Sequence, residues 1–242
     1  GNTHVRSFIA SLRAVRAHRI SPALLAPALL LCVGCAQALD GPSVVATQKA
    51  RVELTIVTSD LEHPWGIAFL PDGRALVTER PGRLRIVDRS GKVSEPLAGV
   101  PSVDAVGQGG LLDVALDPEF ARNQRIYLSF AQKRGAEMNG TSVARAKLGA
   151  QGLEDVTVIF QQQPAMKGGH HFGSRLVFGR DGNLFVTLGD RNIGRERVQS
   201  LDNHIGKVVR IDRAGKAPAD NPYLKQAGAL PEIWSVGHRN VQ

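Results

Sequence analysis

One hairpin pattern, written twice, limits what this chain can fold into. Ile67-Ala68-Phe69-Leu70-Pro71-Asp72-Gly73-Arg74-Ala75-Leu76-Val77-Thr78 returns as Leu176-Val177-Phe178-Gly179-Arg180-Asp181-Gly182-Asn183-Leu184-Phe185-Val186-Thr187. Each copy is an apolar run, a tight Asp-Gly turn and a second apolar run, the composition of a β-hairpin. A looser copy with a longer turn lies between them, Val114-Ala115-Leu116-Asp117-Pro118-Glu119-Phe120 followed by Arg125-Ile126-Tyr127-Leu128-Ser129-Phe130. A second element also repeats: Val87-Asp88-Arg89-Ser90-Gly91-Lys92 matches Ile211-Asp212-Arg213-Ala214-Gly215-Lys216 at the spacing of two units of about 60 residues. A unit of that length holding four short antiparallel strands is the pattern of a propeller blade with long loops. Three blades fit in residues 51–230, and Glu232-Ile233-Trp234-Ser235-Val236 is expected to begin a fourth. An unclosed blade leaves an apolar face and a strand edge uncovered, so residues 51–242 read as part of a propeller domain cut short at Gln242. A compact two-sheet sandwich is the structural alternative.

The remaining pattern is all-β. Val52–Val57, Gly66–Leu70, Ala75–Thr78 and Leu84–Val87 fit short strands, and no stretch sustains the helical period over three turns. The formal charge of +8 invites a nucleic-acid reading, but Arg6, Arg13, Arg16 and Arg19 sit in an acid-free N-terminal stretch. The body has no Lys/Arg run interleaved with aromatics, which argues against nucleic acid as a partner. The N-terminal stretch reads as an export signal over residues 1–38: an Arg-bearing start to Arg19, the apolar run Ile20–Leu31, then small residues around Cys35 and Ala36-Gln37-Ala38. The apolar run is too short to cross a bilayer. Two cleavage readings stand. Leu31-Cys32-Val33-Gly34-Cys35 resembles a bacterial lipobox with Cys32 where Leu is usual, which would leave a lipid anchor on Cys35; cleavage after Ala38 would release a soluble protein beginning at Leu39. Residues 39–50 then form a short linker. An exported protein, periplasmic or anchored as a lipoprotein, is expected, and its body is free of disulfides because both cysteines lie in the signal.

Five motifs, in order, carry a family resemblance: His63-Pro64-Trp65-Gly66-Ile67-Ala68-Phe69-Leu70-Pro71-Asp72-Gly73, Gly107-Gln108-Gly109-Gly110-Leu111-Leu112, His171-Phe172-Gly173-Ser174-Arg175-Leu176, Asp202-Asn203-His204-Ile205-Gly206-Lys207 and Gly237-His238-Arg239-Asn240. The series resembles that of the glucose/sorbosone dehydrogenases, bacterial quinoproteins that use pyrroloquinoline quinone (PQQ) and calcium, and is most similar to their aldose sugar dehydrogenase branch. It runs from about residue 52 to 242. The resemblance implies a six-bladed β-propeller of four-stranded antiparallel blades, of which this chain would cover about three and the start of a fourth. It also implies a small-molecule sugar substrate, oxidised at the anomeric hydroxyl to a lactone, with the electron acceptor left open.

Residue by residue, the chemistry divides as follows. On sequence alone, His170-His171 would be surface groups on a loop. The resemblance places His171 at the general base that removes the anomeric hydroxyl proton while hydride passes to the quinone, a task suited to an imidazole that is mostly neutral at neutral pH. His170 stands where the glucose-oxidising members carry Asp, and it is left out of the catalytic set. Gln108 falls on a residue set against the quinone. Arg239 and Asn240 match residues that hydrogen-bond the reacting quinone oxygens, and a permanently cationic Arg can stabilise the developing negative charge. The family's calcium ligands follow the Arg-Asn motif, so they are expected beyond Gln242. Asp190, after the strand Val186–Leu188, reads first as a strand-end turn former and second as a metal ligand or supporting carboxylate. Trp65 and Trp234 read as core or blade-interface aromatics, and Asn139-Gly140-Thr141 as a sequon that goes unused.

A non-enzymatic exported propeller that binds without chemistry is the competing function. A propeller lactonase would need a cluster of inner-strand carboxylates, and only Asp113 and Asp190 are candidates. Retention of His171, Gln108, Arg239 and Asn240 together favours the dehydrogenase, although residues 1–242 alone, with the ring open, are expected to be inactive. Export itself predicts that mass spectrometry of the processed protein finds an N-terminus at lipidated Cys35 or at Leu39; an unprocessed cytoplasmic chain would overturn it.

Overall fold

The computed structural model describes residues 9–15 and 43–242. The apolar run Ile20–Leu31 and Cys35 lie outside the described residues. The chain divides into two compact units, residues 1–60 and 61–242. The first holds a three-stranded antiparallel sheet, β1 (Ile9–Val15), β2 (Ser43–Ala46) and β3 (Arg51–Thr58), in the order β1-β3-β2. Two segments differ here from the sequence reading. Strand β2 lies in the stretch expected as linker, and β3, expected to open the propeller body, pairs with β1 and β2 instead. The alternation Val52-Glu53-Leu54-Thr55-Ile56 specifies a strand, and alternation carries no information about which neighbour completes its ladder.

The second unit is three antiparallel sheets, each built from consecutive strands. The first is β4 (Pro64–Phe69), β5 (Ala75–Glu79) and β6 (Arg83–Val87). The second is β7 (Leu111–Leu116), β8 (Arg125–Lys133), β9 (Met138–Leu148) and β10 (Leu153–Gln161), with the short β11 (Met166–Lys167) added against β9. The third is β12 (Gly173–Phe178), β13 (Leu184–Leu188), β14 (Val208–Ile211) and β15 (Ile233–Ser235). Their first strands lie side by side, β4 against β7 and β7 against β12. This is the blade order of a β-propeller. Among the described residues only one helical turn (Phe120–Asn123) and one 3-10 turn (Arg195–Arg197) interrupt the strands.

The repeated sequences fold into repeated atoms. In the Asp-Gly hairpins, Leu70 N–H donates to Arg74 O at 2.8 Å and Gly73 N–H to Leu70 O at 2.9 Å; the second copy has Gly179 to Asn183 at 2.8 Å and Gly182 to Gly179 at 3.0 Å. Gly73 and Gly182 sit at φ of 85° and 78°, which an L side chain rarely adopts. Packing follows the strand period of two. On β8, Ile126, Leu128 and Phe130 join a cluster with Leu76 and Leu84 of the first blade, whereas Tyr127 joins Leu176, Leu184 and Val186 of the third. The middle blade is therefore buried on both faces, which is why its central strand reads as a nearly continuous apolar run.

A second repeat was invisible in the sequence. The first strand of each blade shifts register near its start, at Pro64/Ile67, Leu111/Val114 and Gly173/Leu176. Each shift turns one backbone N–H away from its ladder partner, and a hydroxyl on the neighbouring strand takes it. Gly66 N–H donates to Thr78 Oγ1 at 2.8 Å, Asp113 N–H to Ser129 Oγ at 2.9 Å and Arg175 N–H to Thr187 Oγ1 at 2.8 Å. The same hydroxyls then donate onward to the next first strand: Thr78 to Leu112 O, Ser129 to Ser174 O at 2.6 Å and Thr187 to Val241 O at 2.8 Å. This series corrects the fourth-blade boundary. Ile233–Ser235 is the last strand of the third blade, paired with β14; the segment in the position of a fourth first strand is the one around Val241. Of the two tryptophans, Trp65 packs on Leu112, Ala131 and Phe172, while Trp234 stays 40% exposed on the last strand. Asn139 of the sequon is buried and donates to Asp104 Oδ2 at 2.8 Å.

Loss of one link should be costly. Ser129→Ala strands a buried amide and a buried carbonyl and should lower the unfolding free energy by about 2 kcal/mol or more in urea titrations. Thr157→Ala on the exposed outer strand should cost less than about 0.5 kcal/mol, and equal effects would mean that the hydroxyl links carry no special weight.

Candidate functional site

The site forms where three loops meet at the starts of the second and third blades and at the fourth first-strand position. Gln108 precedes β7, His171 precedes β12, and Arg239-Asn240 precede Val241. Backbone hydrogen bonds tie the three together. Gln108 N–H donates to Gly169 O at 2.7 Å, and Asp190 N–H donates to Arg239 O at 2.7 Å. Gly189 makes the closest approach possible, since a Cβ there would lie 2.0 Å from His171 O and 3.1 Å from Arg239 O.

His171 is held from both ends. Its ring Nδ1 lies 2.6 Å from Asp190 Oδ1, and the carboxylate, which can only accept, assigns the proton to Nδ1. Nε2 is then the lone-pair nitrogen, and it has no partner among the described residues. The His171 N–H donates to Gln108 Oε1 at 2.8 Å, and two residues on, Gly173 N–H donates to Asn240 Oδ1 at 3.0 Å. Those two bonds use the carbonyl oxygens of both side-chain amides, so their NH2 groups face outward as donors with no protein partner among the described residues. The exposed Arg239 guanidinium likewise makes no side-chain hydrogen bond or ion pair among them, and it lines a cavity of about 260 Å³ with Asp190, Arg195, Val198, Gly237 and His238. Gln108 and Asn240 are thus joined to the His171 loop through their side chains, and Arg239 to Asp190 through its backbone carbonyl.

Asp190 was underread. It is 3% exposed and does serve the turn, accepting from Asn192 N–H at 2.7 Å, but the same oxygen holds the His171 ring. No pattern in the sequence marks this contact, because it follows a register shift in β12. Counting the antiparallel pairing outward from Gly173 and Leu188 sets Asp190 opposite His171. His170 is exposed, offers its backbone carbonyl to Arg191, and stands edge-on to His171 with ring centroids 6.4 Å apart. Asp113, the other inner-strand carboxylate, is buried and engaged by Leu176 N–H, Val114 N–H and Arg175, so it points to blade packing rather than to the site.

Beneath Arg239 the Asp202–Lys207 motif acts as support. Lys207 is fully buried, and its Nζ donates to Arg197 O, Val198 O and Ile205 O at 3.0, 3.0 and 2.6 Å. Val198 O also receives Gly237 N–H, two residues before Arg239. Burial pushes the Lys207 ammonium down to about 8.

The fold and this loop cluster define a β-propeller protein with a histidine–carboxylate pair ringed by uncommitted donors. The chain belongs to the glucose/sorbosone dehydrogenase family, whose sequence profile matches residues 61–242. It is 44% identical over 203 residues to the aldose sugar dehydrogenase YliI of Escherichia coli, covering 83% of this chain and 54% of that one. It is 31% identical over 233 residues to quinoprotein glucose dehydrogenase B of Acinetobacter calcoaceticus, covering 83% and 47%. Among solved structures, the PQQ-bound aldose sugar dehydrogenase of Streptomyces coelicolor superposes with a TM-score of 0.67 at 30% identity, over 84% of this chain and 56% of that one. The chain spans about half the length of the curated relatives it matches.

The depressed Lys207 pKa has a signed consequence. Below about pH 8 the folded and unfolded chains both hold the proton and the burial penalty is constant. Between about 8 and about 10.4 the unfolded chain binds more protons, so this group's contribution to stability improves as pH rises. The unfolding free energy of the wild type minus that of Lys207→Met should therefore climb from about pH 8 to about pH 10, and a flat difference would remove Lys207 from the account.

Proposed function

We propose that the protein carrying this chain oxidises an aldose at its anomeric hydroxyl to the lactone, in a PQQ-dependent reaction with His171 as general base. The observation that carries the proposal is the pairing of His171 with buried Asp190, which commits Nδ1 and leaves Nε2 as the free acceptor. PQQ, when bound, supplies a flat ortho-quinone that accepts hydride from the anomeric carbon. The donor set suits such an acidic, acceptor-rich group: Gln108 Nε2, Asn240 Nδ2 and the Arg239 guanidinium offer one cation and two neutral amides, none of them engaged among the described residues. Nε2 of His171 takes the proton of the anomeric hydroxyl. Asp190 stabilises the imidazolium that results and keeps the ring from turning. Gln108 and Asn240 hold the backbone on either side of His171, so the residues that would hold the cofactor also fix the base.

Calcium enters the proposal through the family resemblance alone. Among the described residues no group of three or more His, Cys, Asp or Glu could hold a metal ion, and no step is assigned to it. Export, with Cys35 as a possible lipid anchor, belongs to the same reading and rests on the N-terminal sequence.

In the full-length protein supplied with PQQ, calcium, an aldose and a dye acceptor, His171→Gln should lower kcat by about a hundredfold or more while leaving KM nearly unchanged. Asp190→Asn should cost about tenfold or more, because an amide cannot stabilise the imidazolium. His170→Ala should cost much less than either. If His170→Ala abolishes turnover and His171→Gln does not, the assignment of the base fails.

A further inference from the structure

Next to Asp190, Arg191 is buried to 1% exposure, and no carboxylate lies within ion-pair distance of it among the described residues. Its guanidinium is spent on the loop that carries His171. Nε donates to His170 O at 3.0 Å, and Nη2 donates to Gly168 O at 2.6 Å and to Asn139 Oδ1 at 2.7 Å. Nη1 donates to Asn139 O at 3.2 Å, and Cζ lies over the ring of Phe172, 3.9 Å from its centroid. Its backbone N–H points to His171 O at 3.4 Å. Asn139 is in turn fixed by Asp104, so that carboxylate acts on Arg191 through an intervening amide. His171 and Arg191 both adopt left-handed backbone, at φ of 51° and 55°, a conformation that costs free energy and persists only where surroundings enforce it.

We propose that Arg191 is a positioning residue for His171, and that Asp190-Arg191 works as a two-part clamp in which the carboxylate grips the ring and the guanidinium grips the backbone beneath it. The inference rests on His171 being the base. A planar fork is needed for the grip, because the acceptors on residues 139, 168 and 170 lie in different directions and only a guanidinium presents five donors in a fixed geometry. Burial, with the charge of Arg134 adding to it, pushes the group down to about 10, which still leaves it cationic at neutral pH.

The test compares Arg191→Lys with Arg210→Lys in the full-length protein, since Arg210 is also buried, at 5% exposure, but lies on β14 with Asp181 and Asp220 as partners. Three quantities are read: thermal stability, kcat and KM with PQQ, calcium and aldose, and the downfield Nδ1–H proton resonance of His171 expected for an imidazole bonded to a carboxylate. Arg191→Lys should lose or broaden that resonance and lower kcat by about tenfold to a hundredfold with KM changed by less than about threefold, the pattern of a misplaced base. Arg210→Lys should lose stability and leave both resonance and kcat intact. If Arg191→Lys does not fold, Phe172→Leu, which removes the ring under the guanidinium, should show the same pattern more weakly. Loss of stability with resonance and kcat unchanged would overturn the clamp. A lost resonance together with full activity of His171→Gln would sink the base assignment and leave the clamp standing.

Discussion

The hydroxyl relay from blade to blade governs everything above it. At each register shift a backbone N–H leaves its ladder, and in a buried position it must find another acceptor. Thr78, Ser129 and Thr187 supply one and pass their own proton to the carbonyl of the next first strand. One side chain thereby closes a defect in its own blade and fixes the height of its neighbour. Apolar packing between blades is non-directional and would tolerate sliding. The relay does not, and it sets which residues of the loops before β7, β12 and Val241 stand level with one another.

The same shift makes the histidine–aspartate pair possible. Successive residues of a strand face opposite ways, so moving the register by one exchanges the residues that face a given side. Between Phe178 and Leu176 the pairing follows the tight Asp-Gly turn, with Phe178 opposite Leu184 and Leu176 opposite Val186. Continued without a break, that register would set Asp190 opposite Phe172. The shift before Gly173 moves it opposite His171, where its carboxylate reaches Nδ1. The site is a product of the irregularity and not of the regular ladder.

This also explains what could be read in advance. The hairpins repeat because turn chemistry is local, and Asp72-Gly73 and Asp181-Gly182 announce it in adjacent residues. The four candidate side chains were legible because a motif series carried them. Asp190 was not, since its role depends on a shift that no run of apolar residues records. Strand β3 was legible as a strand and not as a member of a particular sheet, and Ile233–Ser235 was placed in the wrong blade for the same reason. Local pattern specifies an element; its partner is settled by burial and by polar satisfaction over long sequence distance.

Two buried cations complete the logic of the loops. A buried charge is usually paired, because desolvation outweighs what carbonyls return. Arg191 and Lys207 are held almost entirely by backbone carbonyls, one beneath His171 and the other beneath the segment leading to Arg239. Carbonyls at the ends of irregular loops have no ladder partners, and a cation satisfies three or four of them from one point, which no neutral side chain of similar size does. Pairing with carboxylates would have neutralised each group and taken those bonds away from the loops. Left unneutralised, the two charges stand under a rim whose outward donors are Gln108, Asn240 and Arg239. The same choice that orders the loops therefore biases the site toward an acidic, acceptor-rich ligand.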